Sequence, residues 1–354
     1  MRLALRSSVF KKFQSPARRY LQMAVTTRPM KPKAHNEASA TSRKENCNFL
    51  LPPGAFDTHV HVFDPTIGPY SAGRAYTPDD APLDRLIEFN KSISQDGTGS
   101  GIVLVQPSPY GTDCTVMTKC LRELRARQRS VYAIAVVELE SITDRELERM
   151  HELGVRGVRL NFQADGKGLD VSRLLDIMQK AADRICHLPG WMIQLFVPGW
   201  AWDTLFDVVS TIPVPIIADH LGGMQGASKL PYHVAKDGVL SQTGFASLLT
   251  LARKSKVIVK ISGLYRASDQ PTSCFDDTRA VIEAFAKEIP DQCIWGSDWP
   301  HTGEGKDRTK QHSLAIKEPF RAINNQALLE NVREWVGSEV WEKMMRDNPA
   351  RLFQ

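Results

Sequence analysis

The chain is short of several things, and each shortage excludes a class of protein. Its six cysteines (Cys47, Cys114, Cys120, Cys186, Cys274 and Cys293) are scattered, and no two form a CxxC pair. A body of roughly 300 residues builds its core without disulfides, so the thiols read as reduced side chains in a reducing compartment. No run approaches the roughly 18 apolar residues that a membrane helix needs, which argues against a membrane partner. No dinucleotide fingerprint appears. Gly97-Thr98-Gly99-Ser100-Gly101 precedes an apolar strand instead of following one, so it reads as a loop and not a phosphate cradle. Acidic residues are absent from the first 33 positions, which hold nine Lys or Arg.

That last absence accounts for the overall charge of +5. Beyond residue 33, 36 bases face 40 acids. The body is therefore mildly acidic and lacks the broad basic surface that nucleic-acid binding requires. The N-terminal segment, residues 1–48, mixes Arg2, Arg6, Lys11, Lys12, Arg18 and Arg19 with Leu3, Val9, Phe10 and Phe13. Acid-poor amphipathic starts of this kind fit a mitochondrial presequence followed by a polar linker. A basic tail on a cytoplasmic protein is the alternative. Residues 49–354 form one domain in this reading, 42% of the whole chain being apolar and 24% charged.

Within that domain, apolar runs alternate with amphipathic stretches. Strands are expected over Phe56–Phe63, Ile102–Pro107, Val131–Val137, Gly157–Phe162, Met192–Val197, Pro215–His220, Val257–Ser262 and Cys293–Ser297. Helical patterns follow each of them, with Gly154 placed as a C-cap. Short, nearly continuous apolar strands indicate a buried parallel sheet. Eight such units over about 250 residues predict an α/β fold, a (β/α)8 TIM barrel. An open doubly wound sheet is the alternative, and usually has fewer units.

Active sites of such barrels lie at the C-terminal strand ends, so polar residues there are candidates. The first strand carries His59 and His61, two apart and therefore on one face. Further strand ends offer Ser108, Arg159 with Asn161, Gln194, Asp219 with His220, and Lys260 with Ser262. Tyr265 and Arg266 follow the seventh, and Asp298 with His301 the eighth. Each has a plainer explanation alone: His220 as a satisfied buried histidine, Arg159 paired with an outer acid, Asp298 as a cap. Their coincidence at one end of the barrel favours an enzyme. The longest excursion at a strand end, Gly223–Gly238, sits where loops often gate access.

These segments also carry a resemblance. Asp57-Thr58-His59-Val60-His61, Ala218-Asp219-His220-Leu221-Gly222, Gly296-Ser297-Asp298-Trp299-Pro300-His301 and Asp347-Asn348-Pro349-Ala350-Arg351 resemble the amidohydrolase superfamily. The stretches from Val103 to Asp113, Gly154 to Phe162 and Val259 to Arg266 resemble its 2-pyrone-4,6-dicarboxylate lactonase branch. The resemblance implies a hydrolase that opens a small carboxylated lactone. Asp298 would be the general base, and His59, His61 and His220 would polarise the carbonyl. Ser108, Arg159, Tyr265 and Arg266 would bind the substrate.

The resemblance also bears on cofactors. Many amidohydrolases ligate divalent metal with a strand-four Lys or Glu and a strand-five His. Here those strands end in Leu160-Asn161-Phe162 and Gln194-Leu195-Phe196. The lactonase branch implies no cofactor. The alternative is zinc on His59, His61 and Asp298, with His220 as a further ligand, in a decarboxylase or amidase. A non-catalytic binding barrel is the third reading. Two departures from the branch bear on the substrate. Phe196 stands where a tyrosine is usual, and Lys167 is the basic residue available after strand four.

Overall fold

The computed structural model describes residues 50–128, 130–162, 169–270, 274–303, 314 and 316–353. The basic N-terminal segment and Lys167 lie outside the described residues. Eight parallel strands run in sequence order: β1 (Phe56–Val60), β2 (Gly101–Val105), β3 (Val131–Ala135), β4 (Val155–Asn161), β5 (Met192–Phe196), β6 (Ile216–Ala218), β7 (Val257–Ile261) and β8 (Cys293–Trp295). Between them lie α1 (Leu83–Ser92), α2 (Thr115–Arg127), α3 (Asp144–Leu153), α4 (Val171–Ile185), α5 (Ala201–Thr211), α6 (Phe245–Arg253) and α7 (Arg279–Glu288), with α8 (Asn325–Glu342) and α9 (Asn348–Phe353) at the end. This is the expected (β/α)8 barrel, nearly closed. None of the described helices is long and apolar enough to cross a membrane.

The seam between β8 and β1 is closed beyond the end of β8. Val60 bridges Trp299 in parallel. The Asp298 amide donates to His59 O, and the His61 amide to Trp299 O, both at 2.9 Å. The helices start and stop where local chemistry directs. Thr143 and Glu146 form a reciprocal capping box on α3, and Gly154 ends that helix at φ +107°, as the sequence predicts. Gly337, at φ +75°, breaks α8.

The two-residue period of the strands layers the barrel interior. Val103, Ile134, Met192, Ile217, Ile258 and Ile294 form an apolar floor with Phe353 of α9. Two residues further along several of the same strands the interior turns polar, with Gln194 after Met192, Asp219 after Ile217 and Lys260 after Ile258, all fully buried. A buried apolar floor under a buried polar layer places the chemistry at the C-terminal end.

Several strands are shorter than their apolar runs. β1 stops at Val60, and β6 stops at Ala218 because His220 turns the chain at φ +53°. The excursion after β6 is pinned in place. Gly226 N donates to Ala267 O (2.8 Å), Lys229 Nζ to Arg266 O (2.7 Å) and Gln225 N to Gln242 Oε1 (2.9 Å).

Candidate active site

His59 leaves β1 pointing into the polar layer, and His61 follows on the same face with its ring centroid 5.0 Å away. His220 lies 4.9 Å from His59 on the other side. Asp298 reaches the same point from beyond β8. Three of the residues around this point hold left-handed backbone: His220 (φ +53°), Asp298 (φ +61°) and His301 (φ +72°). Side chains rarely adopt that region, and each instance costs about 1–3 kcal/mol. A seam hydrogen bond, from the Asp298 amide to His59 O, holds Asp298 there.

The two oxygens of Asp298 have different surroundings. Oδ2 accepts from Tyr265 Oη and from Arg266 Nε, both at 2.7 Å. Oδ1 is buried without a hydrogen bond and faces His61 Nε2 at 3.5 Å and His59 Nε2 at 3.6 Å. Burial alone would raise this carboxyl. The Arg266 guanidinium outweighs it and holds the group well below the usual carboxylate range. Asp298 is therefore ionised, with one lone-pair face free for chemistry.

The histidines are neutral. Burial lowers His59 and His61 below the ordinary imidazole value and takes His220 down to about 4. Their outer nitrogens are held from behind. His61 Nδ1 lies 2.8 Å from Val105 O, and a carbonyl only accepts, so Nδ1 carries the proton and Nε2 offers a lone pair. His220 Nδ1 meets Ser262 Oγ at 2.9 Å. His59 Nδ1 sits between Lys260 Nζ (3.3 Å) and Asp219 Oδ1 (3.4 Å).

Of the other sequence candidates, Arg159 is buried beside this group. Its Nη1 makes a long 3.5 Å contact to Gln106 O, and its Nε, 3.5 Å from Asp219 Oδ2, has no hydrogen bond. A buried guanidinium held this loosely suits an incoming anion. Arg266 is already engaged, with Nε on Asp298 and Nη2 on Tyr265 Oη (2.9 Å) and Thr302 Oγ1 (2.8 Å). Ser108 stands in the turn after β2 and, among the described residues, shares no hydrogen bond with the cluster. The ring of Phe196 meets His220 edge-on at 4.6 Å. His301 is buried against Tyr265, its Nε2 at 3.1 Å from Asn325 Nδ2.

Two parts of the site carried no role in the sequence reading. Asp57 is fully buried, and burial lifts its carboxyl from 3.8 to about 6 against the opposing Ser297 hydrogen bonds. Lys260 is fully buried below His59. The signal for it was a charge inside the apolar run Val257-Ile258-Val259-Lys260-Ile261, since charges are rarely buried unpaired.

The donor set also suits a divalent ion. Ligand atoms of His59, His220 and Asp298 lie within 4.8 Å of one another. The unbonded His59 Nε2 and Asp298 Oδ1 face each other, and the 3.5 and 3.6 Å spacings onto Oδ1 approach the roughly 3.3 Å edge of a tetrahedral zinc site.

A family model described as Amidohydrolase matches residues 56–354. A 4-sulfomuconolactone hydrolase of Rhizobium radiobacter is 30% identical over 318 residues, covering 88% of this chain and 94% of the relative. A 2-pyrone-4,6-dicarboxylate hydrolase of Comamonas testosteroni is 30% identical over 320 residues, covering 86% and 92%. Among solved structures, a probable 2-pyrone-4,6-dicarboxylic acid hydrolase from Acinetobacter baumannii, with citric acid bound, superposes at a TM-score of 0.64 with 25% identity, covering 85% and 99%.

Proposed function

The chain belongs to the amidohydrolase family, and from that premise we propose that it hydrolyses a small anionic lactone. The observation that carries this reading is the divided Asp298 carboxylate, with Oδ2 held by Tyr265 and Arg266 and Oδ1 open toward the histidines. The names of the two relatives at 30% identity support the cyclic-ester substrate. Similarity to both leaves either a carboxylate or a sulfonate as the substrate's anion.

The attacking water donates one hydrogen to Asp298 Oδ1 and the other to His61 Nε2, the two acceptors 3.5 Å apart. Asp298 takes the first proton as the water oxygen bonds to the lactone carbonyl carbon. The carbonyl electrons move onto oxygen, where His59 and His220 provide hydrogen-bond donors. The ring carbon–oxygen bond then breaks. Asp298 returns its proton to the departing oxygen, leaving a ring-opened acid. In this reading His61 positions the water and does not polarise the carbonyl, a role supported by the lone pair on its Nε2. Arg159 is the first anchor for the substrate's anion. Arg266 reaches the substrate only as an extension of its grip on Asp298.

The facing His59 Nε2 and Asp298 Oδ1 favour a second reading, a zinc-assisted hydrolase. His59, His61, His220 and Asp298 would hold the ion, and it would supply Lewis acidity toward the carbonyl.

The test is loss of the pyrone ultraviolet band when the full chain meets 2-pyrone-4,6-dicarboxylate, with EDTA or with added zinc. Turnover in EDTA supports the first mechanism, and turnover restored only by zinc supports the second. No turnover of this lactone or of 4-sulfomuconolactone in either condition would sink the lactonase reading. Asp298→Asn should lower kcat by about 100-fold or more.

A further inference from the structure

Burial lowers Lys260, and Asp219, 3.3 Å away, opposes that; as an ammonium balanced by Asp219, the side chain has three hydrogens to place. The side chain is fully buried in β7. Two of its hydrogens have clear acceptors, Gln194 Oε1 at 2.8 Å and Thr58 O at 3.0 Å. The third has two candidates at the same distance, His59 Nδ1 and Asp219 Oδ1, both at 3.3 Å. The contact to His59 has hydrogen-bond geometry, whereas Asp219 Oδ1 accepts no hydrogen bond. Asp219 instead balances the charge nearby, its Oδ2 held by Gln194 Nε2 at 2.9 Å.

An ammonium has no lone pair, so a ring nitrogen facing it can only accept. If Nδ1 of neutral His59 accepts, the ring proton must be on Nε2. We propose that Lys260 is a positioning residue that fixes His59 as the Nε2–H tautomer. The ring is thereby committed to donating a hydrogen bond toward the reaction centre, and its Nε2 is closed to metal ligation. Metal-ligating histidines usually show the reverse arrangement, with the outer N–H given to a carboxylate or carbonyl. Asp219 stands 3.4 Å from Nδ1 and could play that part. Lys260 competes with it for the same nitrogen. The effect on turnover, though not the tautomer, rests on the reading that His59 acts on the substrate carbonyl.

Replacing the lysine should reverse the choice. In Lys260→Met, Nδ1 faces Asp219 alone and takes the proton. Nε2 then presents a lone pair, which is useless to an oxyanion and attractive to a cation. Turnover should fall on the order of 100-fold, the effect of losing one oxyanion donor, with KM within about twofold. Zinc should bind more tightly to the variant.

The deciding measurement is the nitrogen-15 spectrum of the full-length, histidine-labelled protein, with the His59 signal assigned by its loss in His59→Gln. A protonated Nε2 in the wild type is expected, and a protonated Nδ1 overturns the proposal whatever the variants do. A folded Lys260→Met with an unchanged tautomer overturns it too. Lys260→Gln is the second variant, since its amide can donate to the same nitrogen. It should keep the wild-type tautomer and recover much of the turnover, and a shift to Nδ1–H there counts against the proposal. The spectrum needs no substrate. The expected tautomer in a protein that opens no lactone would refute the hydrolase reading and leave the role of Lys260 standing.

Discussion

Asp57 and Ser297 are 240 positions apart, and the Ser297 amide donates to Asp57 Oδ1 at 2.8 Å. The same oxygen receives the His59 amide at 3.2 Å. One buried carboxyl therefore braces the strand that carries His59 against the segment that carries Asp298. Burial raises that carboxyl from 3.8 to about 6.

The sign of the consequence follows from proton counting. Between pH 3.8 and 6 the folded chain holds a proton on Asp57 that the unfolded chain has lost. This contribution to stability is full below pH 3.8 and disappears as pH rises through 6. At about 1.4 kcal/mol per pH unit, the loss is on the order of 3 kcal/mol. Asp57→Asn keeps an acceptor for both amides and has no charge to bury. Its Tm relative to wild type should rise by several degrees from pH 4 to pH 7. A difference independent of pH would show that Asp57 is not protonated in the folded state.

The buried histidines act in the opposite direction. Burial lowers His220 and His301 from 6.5 to about 4. As pH falls from 6.5 to 4, the unfolded chain takes up protons that the folded chain refuses, so stability falls across that window. Thermal melts in steps from pH 7 to pH 4 should show the loss. In His301→Gln the slope should be shallower, because one of the depressed groups is gone. An unchanged slope would mean that His301 titrates normally in the fold.

Arg266 lies 2.7 Å from Asp298, and this pairing decides what its removal does. If the residue served only a substrate anion, Arg266→Met would raise KM alone. Because it also holds Asp298 ionised, its loss should raise that carboxyl. The acid limb of the kcat/KM profile should then move to higher pH. The shift should appear with a neutral lactone as well as an anionic one. An unmoved limb with a raised KM would return Arg266 to pure substrate binding.

Much of this arrangement could be read before any coordinates. Eight apolar runs separated by amphipathic helices are enough to specify a barrel, because parallel strands buried on both faces have no polar residue to spare. The rule that barrel sites lie at the C-terminal strand ends placed His59, His61, His220 and Asp298 together. The resemblance to amidohydrolases, carried by the Asp57 to His61 and Gly296 to His301 motifs, agrees with the family match. What could not be read was pairing. Arg266 meets Asp298 because Gly263 and Asp298 both turn through left-handed backbone, and nothing in the local pattern announces two such turns. The Lys260 network joins three strands, so its partners are set by barrel register. Charge on a buried strand showed that Lys260 needed partners but not which ones.

The six residues of α9 belong to the barrel as much as its strands do. Phe353 is fully buried against the floor formed by Val103, Ile134, Met192 and Ile217, and it stacks on Tyr132 at 5.8 Å. Asn348 fastens the helix by donating to Pro290 O (2.9 Å) and Cys293 O (2.8 Å) at the start of β8. Phe353 therefore closes the barrel on the side opposite the site, directly under the apolar layer that supports Lys260 and Gln194. Phe353→Ala should cost about 3–5 kcal/mol, the usual loss for a buried aromatic, read as a lower denaturation midpoint in urea. Residual turnover per folded molecule should stay near wild type, since the ring touches no group of the polar layer. A variant that kept its stability but lost kcat would show that the floor positions the site.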